Sequence, residues 1–376
     1  MSEFVNNDIL NFSNDASASS FGWNFQSNAG IFLFLKYIKE SESIKVESRL
    51  QDIEIKLTNG KKVLAQAKSA QDYSIVKNKK EKFKDAIVSF ARNLDDGAQL
   101  IYISNIPDTF DSAKDMFNNK IVPFSSCLQS TKDEINKIFD SLINSLDKEI
   151  ESDNNEKRRT NKRKIKNNIE KIDKNNINIS VVYPYIGDGE NRYSVIKDSI
   201  LEFLVNIVRL SRQDAITICQ RLMEHWQLAL RHNSTIKDGN ITKVISKKDF
   251  IWPIVIFISD EVDMEIDDCL SYIPDVALKN EVHERMMSSN MLYHERFEFS
   301  NRVLQEYSKY KKSLPINTKD IEKAFIKENG MKFVDEFKEY QYDEELVEYI
   351  TKAFVYRILI NNRDIVRIRH NTGVSL

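Results

Sequence analysis

Hydrophobic and polar residues alternate on both sides of an Asn59-Gly60 dipeptide, which predicts a β-hairpin. The first strand opens at Asp52 and the second ends at Gln66-Ala67-Lys68. Because alternate side chains of a strand share a face, Asp52 lies on the face of Glu54, and Gln66 lies on the face of Lys68. Asp52 and Gln66 are 14 residues apart (66 − 52), so antiparallel pairing brings them close together at one end of the hairpin.

Helical spacing of apolar residues dominates the rest of the chain. It predicts helices at 29–38, 83–94, 135–150, 194–210, 212–231, 280–287, 293–310, 318–329, 331–340 and 344–361. Strands are predicted at 99–104 and 178–185, and a short strand followed by a helix within 241–252. We therefore expect an α+β protein with two domains: an α/β domain at 1–205, and a mainly α-helical domain at 206–376.

Composition limits the class of protein. A chain of 376 residues with 30% charged and 41% hydrophobic residues is long enough for two globular domains. No apolar run approaches the ~20 residues of a membrane span, and the N-terminus lacks the features of a signal peptide. Three widely separated cysteines fit a reducing compartment, so we expect a cytoplasmic protein without membrane contact.

The polar residues at the end of the predicted hairpin suit phosphodiester hydrolysis. That reaction needs a hard cation held by oxygen ligands, an activated water and a positive charge near the phosphate. Asp52 would supply a carboxylate, Gln66 a neutral oxygen and Lys68 the positive charge. Glu47 is either a second carboxylate of this site or a solvated acid at a strand edge. The pattern also occurs by chance in α/β proteins, but here helices and strands surround it in a suitable order.

These residues resemble the PD-(D/E)xK nucleases, in the variant in which QxK replaces the acidic-x-Lys motif. Gly22-Trp23-Asn24-Phe25-Gln26 with the following apolar helix is similar to the G-x-x-x-Q segment of a double-stranded DNA endonuclease domain of anti-phage effectors. Glu47, Asp52, Gln66 and Lys68 match that domain's E…D…QxK pattern. The resemblance covers about the first 110 residues well and the next 90 loosely.

The resemblance implies a restriction-endonuclease-like α/β domain that cleaves double-stranded DNA with Mg²⁺ or Mn²⁺. Glu47, Asp52 and Gln66 would be metal ligands, and these three residues together with Lys68 would be catalytic. Gln26 would be a supporting residue; the alternative is that it only braces the first helix. CBASS effectors and the nuclease subunit of Lamassu systems carry such a domain. Length favours the Lamassu type, which implies an SMC-like ATPase subunit and a small accessory subunit as partners. Cutting both strands favours a homo-oligomer, a dimer or tetramer, in the active state.

Two basic segments are candidates for phosphate contact, although the net charge of the chain is only −2. Lys77, Lys79, Lys80 and Lys82 follow the QxK strand and are the preferred DNA-binding residues. Residues 157–166 carry seven cations in ten positions, which fits either DNA contact or a solvated helix face.

Other chemistries find no support in the sequence. The five histidines lack metal-ligand spacing, and neither GxSxG nor GxxxxGK[ST] occurs. Three hypotheses remain: a metal-dependent DNA endonuclease, which we prefer; a DNA-binding scaffold with a degenerate nuclease fold, which the neutral Gln66 favours; and a cyclic-nucleotide-activated effector with the same nuclease domain.

Overall fold

The computed structural model describes residues 7–47, 51–76, 78–95, 97–186, 190–231, 244–260, 273, 275–288, 296–315, 320–340 and 343–374. The chain is a mixed α/β protein and forms two compact units. The first unit comprises Met1–Phe203 and Met223–Lys247, and the second comprises Leu204–Leu222 and Lys248–Leu376. The first segment of unit 1 ends at Phe203, two residues before the expected domain boundary at 205. The chain then returns to the first unit for the 25 residues 223–247.

The first unit is an α/β layer structure. In chain order its elements are α1 (Asn7–Lys36), β1 (Ser41–Val46), β2 (Ile53–Leu57), β3 (Lys62–Lys68), α2 (Lys79–Arg92), β4 (Gln99–Ser104), β5 (Val122–Pro123), α3 (Gln129–Ser152), α4 (Glu156–Lys171), β6 (Ile177–Val181), α5 (Ser194–Glu202) and β7 (Ile245–Ser246). Helix α6 (Arg212–Arg231) contributes residues to both units.

The described strands form one seven-stranded mixed sheet in the order β5-β6-β4-β3-β2-β1-β7. β1, β2 and β3 pair antiparallel, whereas β3, β4 and β6 are parallel. The predicted hairpin is confirmed: Ile53 pairs with Ala65, and Gly60 takes the positive φ of 79° that its turn requires. The predicted strand at 99–104 is confirmed as β4. The strand predicted at 178–185 is shorter and shifted, spanning Ile177–Val181, and beyond it the Tyr183 N–H donates to Oδ1 of Asn119 instead of to a neighbouring strand.

Helices cover the two faces of the sheet by burying apolar stripes. The core on the α2 side includes Leu64, Phe83, Phe90 and Tyr102, all of them fully or almost fully buried. On α1, a glycine allows a close approach to β1: a Cβ on Gly30 would lie 3.0 Å from a methyl group of Val46. These two layers fix the ends of β1, β2 and β3, where the candidate site lies.

The second unit is helical in its described part. Its elements are α7 (Lys247–Asp260), α8 (Val276–Ser288), α9 (Arg296–Ser313), α10 (Ile321–Asn329), α11 (Glu344–Ile360) and α12 (Asn362–Thr372), with a 3-10 helix at Gly330–Tyr340. The structure differs from the helix predictions in several places. Helix α1 begins at Asn7 rather than at residue 29, and α4 was not predicted as a separate helix. Residues 194–210 form α5 and a π-helix (Phe203–Val208), residues 330–340 are 3-10 rather than α-helical, and α12 was not predicted. No helix among the described residues is long and apolar enough to cross a membrane.

Candidate functional site

The candidate site lies where β1, β2 and β3 end side by side. The ladder pairs Val46 with Ile53 and Ile53 with Ala65. One residue further along this ladder, Glu47 lies opposite Asp52, and the Glu47 N–H donates to the Asp52 carbonyl at 2.8 Å. Continued in the same register, Asp52 lies opposite Gln66. Three of the predicted site residues therefore form one row across the neighbouring strands. Glu47 and Asp52 lie just outside the regular ladder, so the direction of each side chain follows from its own contacts.

Asp52 is held in place by the backbone of the neighbouring strand. Its Oδ2 accepts a hydrogen bond of 2.9 Å from the N–H of Ala67, the residue between Gln66 and Lys68. Burial raises the pKa of the Asp52 carboxyl above its ordinary value, while the positive charge of Lys68 and the Ala67 hydrogen bond act in the opposite direction. The antiparallel hairpin therefore places the carboxylate within the electrostatic range of the lysine.

Glu47 has an unusual backbone conformation and joins the same cluster. Its φ of 57° lies in the left-handed region, which is costly for a residue with a side chain and recurs at functional sites. Burial and repulsion by Asp52 raise the pKa of the Glu47 carboxyl, and a hydrogen bond from Gln26 and the charge of Lys68 lower it. Glu47 is thus a partner of Asp52 and Lys68 rather than an isolated acid at a strand edge.

Gln26 connects the first helix with this cluster. Its side chain hydrogen-bonds to Glu47, while its Oε1 is buried without a hydrogen-bond partner among the described residues. A buried amide oxygen without a donor is uncommon in folded proteins. It leaves one uncompensated acceptor in the side chain that hydrogen-bonds to Glu47.

Gln66 is buried and belongs to a chain of amide hydrogen bonds. Its Nε2 donates to Oε1 of Gln51 at 2.5 Å, and Nε2 of Gln51 donates to the carbonyl of Ser89 on α2 at 3.3 Å. Because a backbone carbonyl only accepts, Gln51 must direct its Nε2 toward Ser89 and its Oε1 toward Gln66. This orientation makes Nε2 the atom that Gln66 presents to Gln51, and leaves the Gln66 Oε1 on the other side of its amide.

Sequence reasoning did not find Gln51. Strict alternation places it on the face opposite Asp52, but the backbone bends at Asp52 before β2 begins at Ile53. The bend lets Gln51 reach the Gln66 side chain. A signal was present in the sequence only as a second glutamine close to the hairpin end.

The predicted DNA-binding lysines have several different environments. Lys77 lies outside the described residues. Lys79 donates to the carbonyl of Pro107 at 3.0 Å, and Lys80 pairs with Asp111 and Glu134 at 2.8 and 2.6 Å. Lys82 lies half-buried on α2. Two of the three described lysines are therefore engaged by the protein itself.

The basic run 157–166 lies on α4, where it forms ion pairs. Lys162 pairs with Glu149 and Asp153, and Lys166 pairs with Asp147 and Glu170. Arg159 and Arg163 both pair with Glu156. Four of the seven cations thus stabilise α4 and its packing against α3, which supports the structural alternative for this run.

The donor set at the hairpin end fits a divalent cation. Within the described part of the chain, no group of three or more His, Cys, Asp or Glu side chains is placed to hold a metal ion. The candidate site instead offers two carboxylates and two amide oxygens, from Glu47, Asp52, Gln26 and Gln66. Oxygen ligands of this kind suit Mg²⁺ and Mn²⁺. Burial is the largest cause that raises the pKa of both carboxyls, so their ionised forms lack part of the solvation that water would give.

Comparisons with protein-family models, with curated proteins and with solved structures gave no match to this chain. The case for a function therefore depends on the geometry of the site.

Proposed function

We propose that this protein is a metal-dependent endonuclease that cleaves double-stranded DNA. The observation that carries the proposal is the convergence of Glu47, Asp52 and Lys68 at the end of the hairpin, with Gln26 bonded to Glu47. The order α1-β1-β2-β3-α2-β4, with an antiparallel hairpin followed by a parallel strand, also supports a PD-(D/E)xK-type domain.

The chain's own residues have separable roles in this proposal. Glu47 and Asp52, with the amide oxygen of Gln66, would hold the cation, which when bound supplies charge neutralisation and activates water. The ammonium group of Lys68 orients the attacking water or balances the negative charge that develops on the phosphate. Ala67 fixes one Asp52 oxygen by its N–H, so that the other oxygen is available to a ligand.

A role in anti-phage defence belongs to the same proposal and is supported only by the sequence resemblance. We propose a Lamassu-type effector controlled by an SMC-like ATPase and a small accessory subunit. The helical unit would then dock the partner and mediate self-association. A cyclic-nucleotide-activated CBASS effector is the alternative within this class, and cyclic-nucleotide binding by the full chain would favour it.

A catalytically degenerate DNA-binding scaffold is the second candidate function. One observation favours it: Gln66 is neutral, buried and hydrogen-bonded to Gln51, as a purely structural residue would be. The two candidates differ in whether the residues of the row support hydrolysis.

Plasmid cleavage separates these functions. We expect the full chain, alone or with its partner subunits, to nick and linearise supercoiled DNA in Mg²⁺ or Mn²⁺ but not in EDTA. Asp52→Ala and Lys68→Ala should each abolish cleavage, whereas Lys162→Ala, which removes a cation on α4, should not. Cleavage retained in both site variants would refute the site. DNA binding without cleavage under every condition would favour the scaffold.

A further inference from the structure

We propose that the indole of Trp23 binds a nucleoside of the DNA next to the candidate site. This inference rests on the proposed function and names a contact that the E…D…QxK pattern does not include. Trp23 is 50% exposed, whereas Trp226 and Trp252, the other two tryptophans, are 1% and 5% exposed. An exposed indole that stands alone needs no explanation. Trp23 differs from such a residue because of its position beside the candidate site.

Trp23 lies on the turn of α1 that reaches the candidate site. Gly22 directly precedes it, and a Cβ on Gly22 would lie 3.9 Å from Oγ of Ser69, the residue after Lys68. Gln26, three residues later, hydrogen-bonds to Glu47. Residues three apart on a helix are surface neighbours, with Cβ atoms roughly 5–6 Å apart. The indole therefore lies between one residue that is close to Ser69 and one that hydrogen-bonds to Glu47.

Buried polar contacts hold this turn of α1 in place. Asn24 donates to the Tyr193 hydroxyl at 3.0 Å and accepts from the Tyr185 hydroxyl at 2.7 Å. Asn28, fully buried one turn later, donates to the Tyr185 hydroxyl at 3.1 Å and accepts from Gln227 at 2.8 Å. A rigid support reduces the entropy that a side chain loses when it binds a ligand.

An exposed indole beside a phosphate site suits nucleic acid. Aromatic side chains bind nucleosides by stacking on the face of the base, or by wedging against a base step of a duplex. A phosphate held at Lys68 would carry its flanking nucleosides past the turn that bears Trp23. The indole would thus position the DNA, while the hairpin residues perform the chemistry.

The exposure difference among the tryptophans gives a direct assay. In the full-length protein the red-shifted emission comes from Trp23, because the other two indoles are buried. We expect a short DNA duplex, added in EDTA to prevent cleavage, to quench this component. By fluorescence anisotropy of labelled duplex, Trp23→Ala should weaken binding about tenfold, near the lower end of what base–aromatic contacts contribute. Trp23→Phe, which keeps an aromatic ring, should weaken it less.

A matched control is Leu128→Ala. Leu128 is 56% exposed and follows β5, which lies three strands from β3 in the sheet, so its truncation should leave DNA affinity unchanged. Circular dichroism and a thermal melt check that each variant folds.

Each remaining outcome overturns the inference. If the duplex binds without quenching, or binds Trp23→Ala as tightly as the wild type, the nucleoside contact is refuted while the proposed function stands. If no duplex binds to the wild type in EDTA or in Mg²⁺, or to Lys68→Ala in Mg²⁺, the nucleoside contact and the proposed function are both refuted. A blue shift of the emission with rising protein concentration alone would show that a second copy of the chain covers Trp23.

Discussion

Replacing Gln66 by glutamate tests why an amide stands at this position. In the structure, Gln66 gives its Nε2 proton to Gln51, whose own Nε2 is engaged by the Ser89 carbonyl. A carboxylate at position 66 has no proton to give, so two acceptor oxygens would face each other in a buried place. If Gln51 turned its amide around, its oxygen would face the carbonyl of Ser89 instead. Either arrangement leaves one buried polar contact unmade.

Gln66→Glu should lower the free energy of unfolding by about 1–3 kcal/mol, the usual effect of leaving one buried polar group without a hydrogen bond. The new charge also lies opposite Asp52, which adds to the loss in the absence of cations. The loss should shrink as the pH falls toward the ordinary pKa of a glutamate, since a protonated carboxyl can donate to Gln51. Added Mg²⁺ should recover more stability in this variant than in the wild type.

Urea unfolding followed by circular dichroism measures this difference. Gln99→Glu is the matched control, because Gln99 uses its Oε1 to accept from the Tyr37 hydroxyl at 2.9 Å, and a carboxylate accepts equally well. It should change the unfolding free energy by less than about 0.5 kcal/mol, as is usual for surface substitutions. Equal stability of Gln66→Glu and the wild type at neutral pH would refute the amide chain as described.

Three further predictions follow from the contacts of the first unit. Asp52→Asn should raise the melting temperature at neutral pH without metal, because the raised pKa of Asp52 means that its ionised form destabilises the fold. This difference from the wild type should disappear as the pH falls below the ordinary aspartate pKa. A melting temperature that is unchanged or lower at neutral pH would contradict this. Lys162→Ala should leave the urea midpoint of unfolding almost unchanged, because ion pairs of exposed side chains contribute little to stability; a clear fall of the midpoint would contradict this. Asn28→Leu should cost about 1–3 kcal/mol, because it leaves the buried Gln227 amide without its acceptor, whereas the Tyr185 hydroxyl keeps its bond to Asn24; a loss below about 1 kcal/mol would count against the network.

The hairpin was predictable because two local signals agree. Alternation predicted the faces of the strands, and Asn59-Gly60 predicted the turn, so the proximity of Asp52 and Gln66 could be expected. The exact register could not, because a two-residue turn would place Asp52 opposite Ala67, whereas the observed pairing of Ile53 with Ala65 places it opposite Gln66. The long amphipathic helices were predictable for a similar reason. The seven cations in 157–166 predicted exposure, but not the acids of α3 with which some of them pair, because pairing across a helical hairpin depends on tertiary packing.

Features that depend on the backbone leaving its regular path were not predictable. The left-handed φ of Glu47 and the bend before Ile53 bring Glu47 and Gln51 into the site, and no residue type in the sequence announces either one. Similarly, the break of α5 into a π-helix and the separate α12 occur within apolar patterns that are continuous at helical spacing. The local pattern of apolar residues predicted the helices and strands, whereas long-range contacts determine the backbone conformation at their ends.

Single-turnover cleavage of an end-labelled DNA duplex tests the central claim most directly. The enzyme, in excess and with Mg²⁺ and its partner subunits, should cut the duplex, and Lys68→Ala should reduce the rate constant to background while its affinity for the duplex in EDTA changes little. Lys162→Ala, which removes an equal charge from α4, should cleave at the wild-type rate. A Lys68→Ala variant that cleaves as fast as Lys162→Ala would contradict the assignment of the hairpin end as the active site.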